Sequence, residues 1–150
     1  MVFLSQPNLS RSNYVSLDVR QLVTVREFMS APPVILDSQM SVEDACKLMG
    51  AKRIGSVLLS NRDVVQAIFT ERDLISRVLS QGVEISSVTV GTHASSPIIT
   101  VPPETDVKEA ARIMTELRVE HLVVIQDDKP IGIFTASDLA KAVGKFPLEL

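Results

Sequence analysis

The sequence predicts a mixed α/β fold, α+β in class, built from two tandem copies of one unit packed with pseudo-two-fold symmetry. Three observations predict it. Residues 25–79 align with residues 90–144 without a gap, at a constant offset of 65 and with 14 identities in 55 pairs. Ala45 pairs with Ala110, Met49 with Met114, Phe69 with Phe134, Thr70 with Thr135 and Asp73 with Asp138. Self-similarity at a fixed period marks a unit that buries its apolar face against its copy. Next, the hydrophobic pattern in each copy runs strand, helix, strand, strand, helix. Finally, a unit of about 60 residues is marginal alone, whereas 150 residues bury roughly 70% of their unfolded surface. Two copies packed face to face form any cleft between them twice.

Residues 1–22 are polar and rich in Ser and Asn, and read as a flexible arm. A short lead-in helix is expected over 21–29, with Thr24 as N-cap and Pro32 and Pro33 beyond its end. The first repeat covers 23–80. Residues 34–36 form an apolar strand. Ser41, followed three residues later by Asp44, opens a helix as a capping-box variant, with Val42, Ala45, Cys46 and Met49 as its apolar stripe. Strands over 57–59 and 64–69 are joined by a turn at Asn61-Arg62-Asp63 into a hairpin. Thr70 starts the second helix, buried along Leu74, Ile75 and Val78.

Residues 81–89 link the units, and the second repeat over 90–144 repeats the order. It has a strand at 98–101, a helix stripe at Val107, Ala110, Ala111 and Met114, and a hairpin of 122–125 with 131–134 across Asp127-Asp128-Lys129. A closing helix over 135–143 stops at Gly144, a helix-terminating glycine. Residues 145–150 are a tail. Each strand–helix–strand step places its strands parallel through a right-handed crossover.

Composition excludes several classes of function. With 45% hydrophobic and 22% charged residues, the chain is ordinary for a globular protein. A net charge of −3 and a pI near 5.4 imply no broad basic face, which argues against nucleic acid or an anionic membrane as main partner. No run approaches the ~20 apolar residues of a membrane span, and the first four residues are too short for a signal-peptide core. The single Cys46 excludes an internal disulfide framework, and a reducing cytoplasm is the expected compartment. Cys46 reads as a buried, inert thiol. Two distant histidines and one cysteine have no metal-ligand spacing. No Ser/His/Asp set or activated cysteine points to an enzyme.

The most informative local motif is the junction of last strand and last helix, Ala67-Ile68-Phe69-Thr70-Glu71-Arg72-Asp73 and Gly132-Ile133-Phe134-Thr135-Ala136-Ser137-Asp138. A helix start after a strand exposes unpaired N–H groups that suit an anion. Gly132 permits close approach to the backbone. A carboxylate three residues on can accept hydrogen bonds from a vicinal diol, as acidic residues do for ribose. Thr-x-x-Asp is equally a capping box that needs no ligand, and one Thr can do both. Arg53 and Arg118 end helices, where cations suit the dipole.

The repeated unit, closed in the second copy by Gly132-Ile133-Phe134-Thr135-x-x-Asp138-Leu139, closely resembles the cystathionine-β-synthase (CBS) domain. Two in tandem look like a Bateman module. The resemblance covers about residues 23–143. It implies a non-catalytic sensor whose inter-repeat clefts bind an adenosine compound, with AMP, ADP, ATP or S-adenosylmethionine as candidate ligands and none obligatory. It further implies that Thr135 and Asp138 hold ribose and phosphate in a second-copy site, with Val119, Pro97 and Ile98 flanking the base and Thr92 as a polar contact. The first-copy site implied is Thr70, Asp73, Ile54, Pro32 and Pro33. A residue from the other copy meets phosphate, His121 in the first site and Ser56 in the second. His121 is otherwise a half-buried strand residue, and Arg72 either meets phosphate or a dimer partner or is simply exposed. Three departures stand out. Ala67 replaces the motif glycine, Glu27 occupies the place of Thr92, and Ser56 supplies no cation.

The resemblance also implies a homodimer, a flattened disc of four repeats, with Leu74/Val78 and Leu139/Val143 as candidate surfaces and an unidentified effector protein as listener. The alternative is a ligand-free interaction scaffold in which Thr70 and Thr135 only cap helices.

Overall fold

The structure is a computed structural model and describes residues 22–145. The arm (apart from Leu22) and the tail beyond Lys145 lie outside the described residues. Each repeat forms its own three-stranded sheet. In the first, β1 (Ile35–Asp37) runs parallel to β2 (Ser56–Asn61), which pairs antiparallel with β3 (Val64–Thr70). In the second, β4 (Thr100–Val101) lies parallel to β5 (His121–Gln126), and β5 pairs antiparallel with β6 (Lys129–Thr135). The strand expected at 98–101 is thus shorter than its apolar run. Both hairpins turn on two left-handed residues, Arg62 and Asp63 (φ 52° and 64°) and Asp127 and Asp128 (φ 52° and 62°). That turn geometry matches the twist of the strands it joins.

The crossover helices are twins. One is Val42–Lys52, where the Ser41 hydroxyl accepts from the Asp44 N–H at 3.0 Å. The other is Val107–Leu117, capped by the Asp106 carboxylate on the Lys108 N–H at 2.8 Å. Each buries the Val, Ala and Met of its stripe, while Cys46 and Ala111 are only half-buried. Burial pushes the Cys46 thiol above its ordinary pKa, which suits an inert role. Arg53 and Arg118 end these helices in the left-handed region, at φ 56° and 57°.

The two sheets face one another. Leu58, Ile68, Val123 and Ile133, two equivalent pairs, form a buried layer between them. Each repeat's own core is then completed by a segment that precedes the other. Val23 and Val25, at the start of a short helix (Val25–Phe28) with Thr24 as N-cap, pack among Val107, Ala110, Met114, Leu122 and Phe134. Val90 packs among Val42, Ala45, Met49 and Phe69. The hydrogen bonds match across the offset of 65. Val107 N donates to Val23 O and Val42 N to Val88 O, both at 2.9 Å, and Val25 N donates to Thr105 O and Val90 N to Met40 O, again at 2.9 Å. Each lead-in belongs by sequence to one repeat and by packing to the other.

The closing helices differ. In the second repeat a regular helix runs Ala136–Lys145, and Gly144 lies inside it instead of stopping it. In the first, one α-turn (Glu71–Asp73) widens into a π-helix (Leu74–Val78) and tightens into a 3₁₀ turn (Leu79–Gln81) before Gly82 at φ 69°. The Ser76 and Ser80 hydroxyls donate to carbonyls four residues back, Arg72 O at 2.7 Å and Ser76 O at 2.8 Å. Such bonds compete with the backbone ladder. Lysines, Lys141 and Lys145, stand at the equivalent places in the regular helix. The unwinding also alters the apolar face. Val78 is buried, but Ile75, expected inside, is 61% exposed.

Candidate functional site

Two clefts lie between the repeats, and each joins a Thr-x-x-Asp motif from one copy to apolar residues from the other. The larger, about 530 Å³, brings Thr70, Arg72 and Asp73 together with Pro97, Ile98, Val119 and His121. The smaller, about 250 Å³, brings Thr135 and Asp138 together with Pro32, Pro33, Ile54 and Ser56. This corrects the grouping expected from the sequence, which kept each motif with the apolar residues of its own numbered site. His121 lies in the cleft of Thr70 and Ser56 in that of Thr135. The reason for the exchange is backbone pairing. Ser95 exchanges two hydrogen bonds with Ile68 (3.0 and 2.9 Å), and Ser30 exchanges two with Ile133 (2.9 and 3.0 Å). The stretch ahead of each repeat's first strand therefore adds to the other repeat's last strand. It carries Pro97 and Ile98 to Thr70, and Pro32 and Pro33 to Thr135. The Ala31–Pro32 and Ser96–Pro97 peptide bonds are both cis.

Two expected ligand residues, Thr92 and Gly132, stand elsewhere. Thr92 lines neither cleft. It faces a separate polar depression with Ser38 and Gln66, and its hydroxyl donates to Thr89 O at 2.8 Å. Gly132 does admit a close approach, but by the chain itself. A Cβ there would meet Met29 Sδ at 2.6 Å and Ser30 O at 2.9 Å. Glu27 is no obstacle to phosphate in these clefts, since its carboxylate accepts from Thr24 N at 3.1 Å and caps the lead-in helix.

Both helix starts are reciprocal caps. In the Asp73 motif, Thr70 N and Oγ1 donate to Asp73 Oδ2 at 3.0 and 3.1 Å, and Asp73 N donates to Thr70 Oγ1 at 3.2 Å. The Asp138 motif repeats this at 2.9, 3.1 and 3.2 Å. Both aspartates are buried, each at 4% exposure. The second carboxylate oxygens differ. Asp73 Oδ1 accepts from Ser95 Oγ at 2.8 Å and faces Arg77 Nε at 3.5 Å. Asp138 Oδ1 has no partner among the described residues, yet no buried side-chain polar atom among them lacks one, so this oxygen keeps some exposure on a residue that lines the cleft.

Charge differs as well. Arg72 spends its guanidinium on Glu120, 3.4 Å away across the mouth of the larger cleft. His121 enters that cleft from β5, and burial holds its imidazole below the ordinary value. Glu120, Asp73, Glu71 and Asp138 pull it partly back. It is therefore a neutral hydrogen-bonding group near pH 7. The larger cleft also carries Arg118, the counterpart of Arg53, beside two carboxylates, Asp73 and Glu120, whereas the smaller is lined by Arg53 and Lys141 with Asp138 its one carboxylate among the described residues. Arg53, expected only to end its helix, precedes Ile54, and Lys141, which was not singled out, follows Asp138 by three residues on the same helix face.

Paired βαββα repeats that trade lead-ins and set a helix start against each other's proline segment define a module with two equivalent clefts. The CBS-domain family model matches residues 25–80 and 88–145, and the chain belongs to that family as a tandem pair. A CBS domain-containing protein of Arabidopsis thaliana, CBSX3, described as mitochondrial, is 33% identical over 108 residues, 69% of this chain and 52% of its own length. An uncharacterized protein of Methanopyrus kandleri is 38% identical over 104 residues, 68% of this chain and 53% of its length. The chain thus spans about half the length of these relatives. Neither name carries a catalytic activity. Among solved structures, a hexameric CBS-CP12 protein from bloom-forming cyanobacteria superposes with a TM-score of 0.78 at 27% identity, over 86% of this chain and 74% of that one.

Proposed function

We propose that this CBS pair is a regulatory sensor that binds an adenosine-containing ligand (AMP, ADP, ATP or an S-adenosyl compound) between its repeats and signals to a partner protein. The observation that carries the reading is Asp138. It is a nearly buried carboxylate with one oxygen tied down by Thr135 and the other unspent, in a cleft bearing Arg53 and Lys141. The free oxygen suits a ribose diol, the cations suit phosphate, and Pro32, Pro33 and Ile54 offer an apolar slot for a base. A ligand biases the packing of the repeats only through unequal affinity for two arrangements.

Self-association belongs to the same reading. Ile75 and Leu79 on the unwound helix are 61% and 54% exposed, and Val143 on its counterpart is 44% exposed. These helix faces suit a homodimer of two pairs. No helix among the described residues is long and apolar enough to cross a membrane, and a lone, half-buried Cys46 fits a reducing compartment.

Thermal melts of nucleotide-free protein with AMP, ADP, ATP and S-adenosylmethionine test the proposal. A ligand at 100 times its dissociation constant adds about 2.7 kcal/mol. No shift with any of the four compounds overturns the sensor and leaves the interaction scaffold.

A further inference from the structure

The two Thr-x-x-Asp motifs are sequence equivalents, yet their carboxylates are in different states. An ionised carboxylate offers about four lone-pair positions. At Asp73 three hydrogen-bond donors, Thr70 N, Thr70 Oγ1 and Ser95 Oγ, take three of them, and the Arg77 guanidinium forms an ion pair with Oδ1, its Nε 3.5 Å away. At Asp138, among the described residues, only Thr135 N and Oγ1 donate. A vicinal diol needs two acceptor positions on the cleft side, which Asp138 has and Asp73 lacks.

We propose that Ser95 and Arg77 form an internal plug on Asp73, so that the chain holds one diol-bearing nucleotide, on Asp138, and gains a second only when the plug is removed. This rests on the nucleotide reading above. The plug is anchored at both ends. Arg77 Nη1 also donates to Ala94 O at 2.9 Å, so one guanidinium ties the helix to the crossing segment that carries Ser95. Ser95 Oγ–Asp73 is a short bond to a charged, buried acceptor, the strong kind. Neither contact is made in the other cleft among the described residues. Ala142 stands where Arg77 stands, and the Ser30 hydroxyl, the counterpart of Ser95, has no hydrogen-bond partner among the described residues. Room does not explain the selection, because the plugged cleft is the larger, at about 530 Å³ against about 250 Å³. What is missing there is acceptor capacity.

The test counts AMP bound per chain by native mass spectrometry and titration calorimetry on the full, nucleotide-free chain, with 2′,3′-dideoxy-AMP as the diol-free probe. Wild type is expected to bind one AMP, about tenfold or more tighter than the dideoxy compound. Asp138→Asn removes that binding, and Asp73→Asn leaves it. Ser95→Ala with Arg77→Ala adds a second AMP, which Asp73→Asn on that background abolishes. Ser95→Ala alone, a milder change, adds a weaker second site and serves if the double variant fails to fold. Two AMP in wild type, loss of the single site through Asp73→Asn, or no second site in a folded plug variant overturns the plug while the nucleotide reading stands. No binding in wild type or in any folded variant overturns both.

Discussion

The closing helices of the two repeats begin alike and part within one turn. After Asp138 come Lys141, Ala142 and Lys145, and the helix runs on regularly with a lysine over the cleft. After Asp73 come Ser76, Arg77 and Ser80. The serines turn back on the ladder, and the arginine turns back on the aspartate. The same cap therefore serves one cleft that presents an acceptor and one whose acceptor is consumed. A Thr-x-x-Asp motif fixes where a helix starts. What it offers a ligand is decided one turn later.

That comparison can be broken or sharpened by stability measurements. The largest effect is expected in the cores, which the comparison holds to be equal. Phe69→Ala and Phe134→Ala each remove a wholly buried ring, and each is expected to lose about 3–5 kcal/mol in urea unfolding. A loss confined to one variant would mean that the repeats are not equivalent in packing. Next come the positions one strand residue before each buried Ile-Phe pair. Gly132→Ala drives a methyl against Met29 and the Ser30 carbonyl and is expected to lose about 1–3 kcal/mol. The reverse change at its counterpart, Ala67→Gly, is expected to lose only about 0.5–1 kcal/mol. A neutral Gly132→Ala would mean that the crossing segment is not held against β6.

The smallest effect is the titration of His121. Its folded pKa lies below the unfolded value because burial disfavours the imidazolium. The unfolded chain therefore takes up the proton first. The contribution is fully present above about pH 6.5 and is lost as pH falls from there through the folded value. Unfolding of wild type and His121→Gln, compared between pH 7.5 and 5, should show the wild type losing more stability on acidification. Equal slopes would place His121 in a solvated setting.

Much of the fold was legible. Capping at Ser41, the turns at Arg62-Asp63 and Asp127-Asp128, and the Val-Ala-Met stripes all rest on contacts within a few residues, and sequence spacing records those. The pairing of the clefts was not. An offset of 65 says that Pro32 and Pro97 are equivalent, but not which threonine each will face, because that depends on Ser95 and Ser30 joining distant strands. The same limit hid the occupant beside Gly132 and the plug on Asp73. The neutral state of His121 follows from burial, which one strand's alternation does not determine. The widened helix did leave a local trace in Ser76 and Ser80, spaced four apart.

The traded lead-ins impose an order on the chain as it is synthesised. Val42 waits for Val88, 46 residues downstream (88 − 42), whereas Val23 waits for Val107, 84 residues downstream (107 − 23). The first core can close once residue 90 has emerged, but Val23 and Val25 stay exposed until the second repeat is nearly complete. Clipping the connection at 81–89 after folding leaves two fragments, each still clasped by a piece of the other, so they should part only by unfolding.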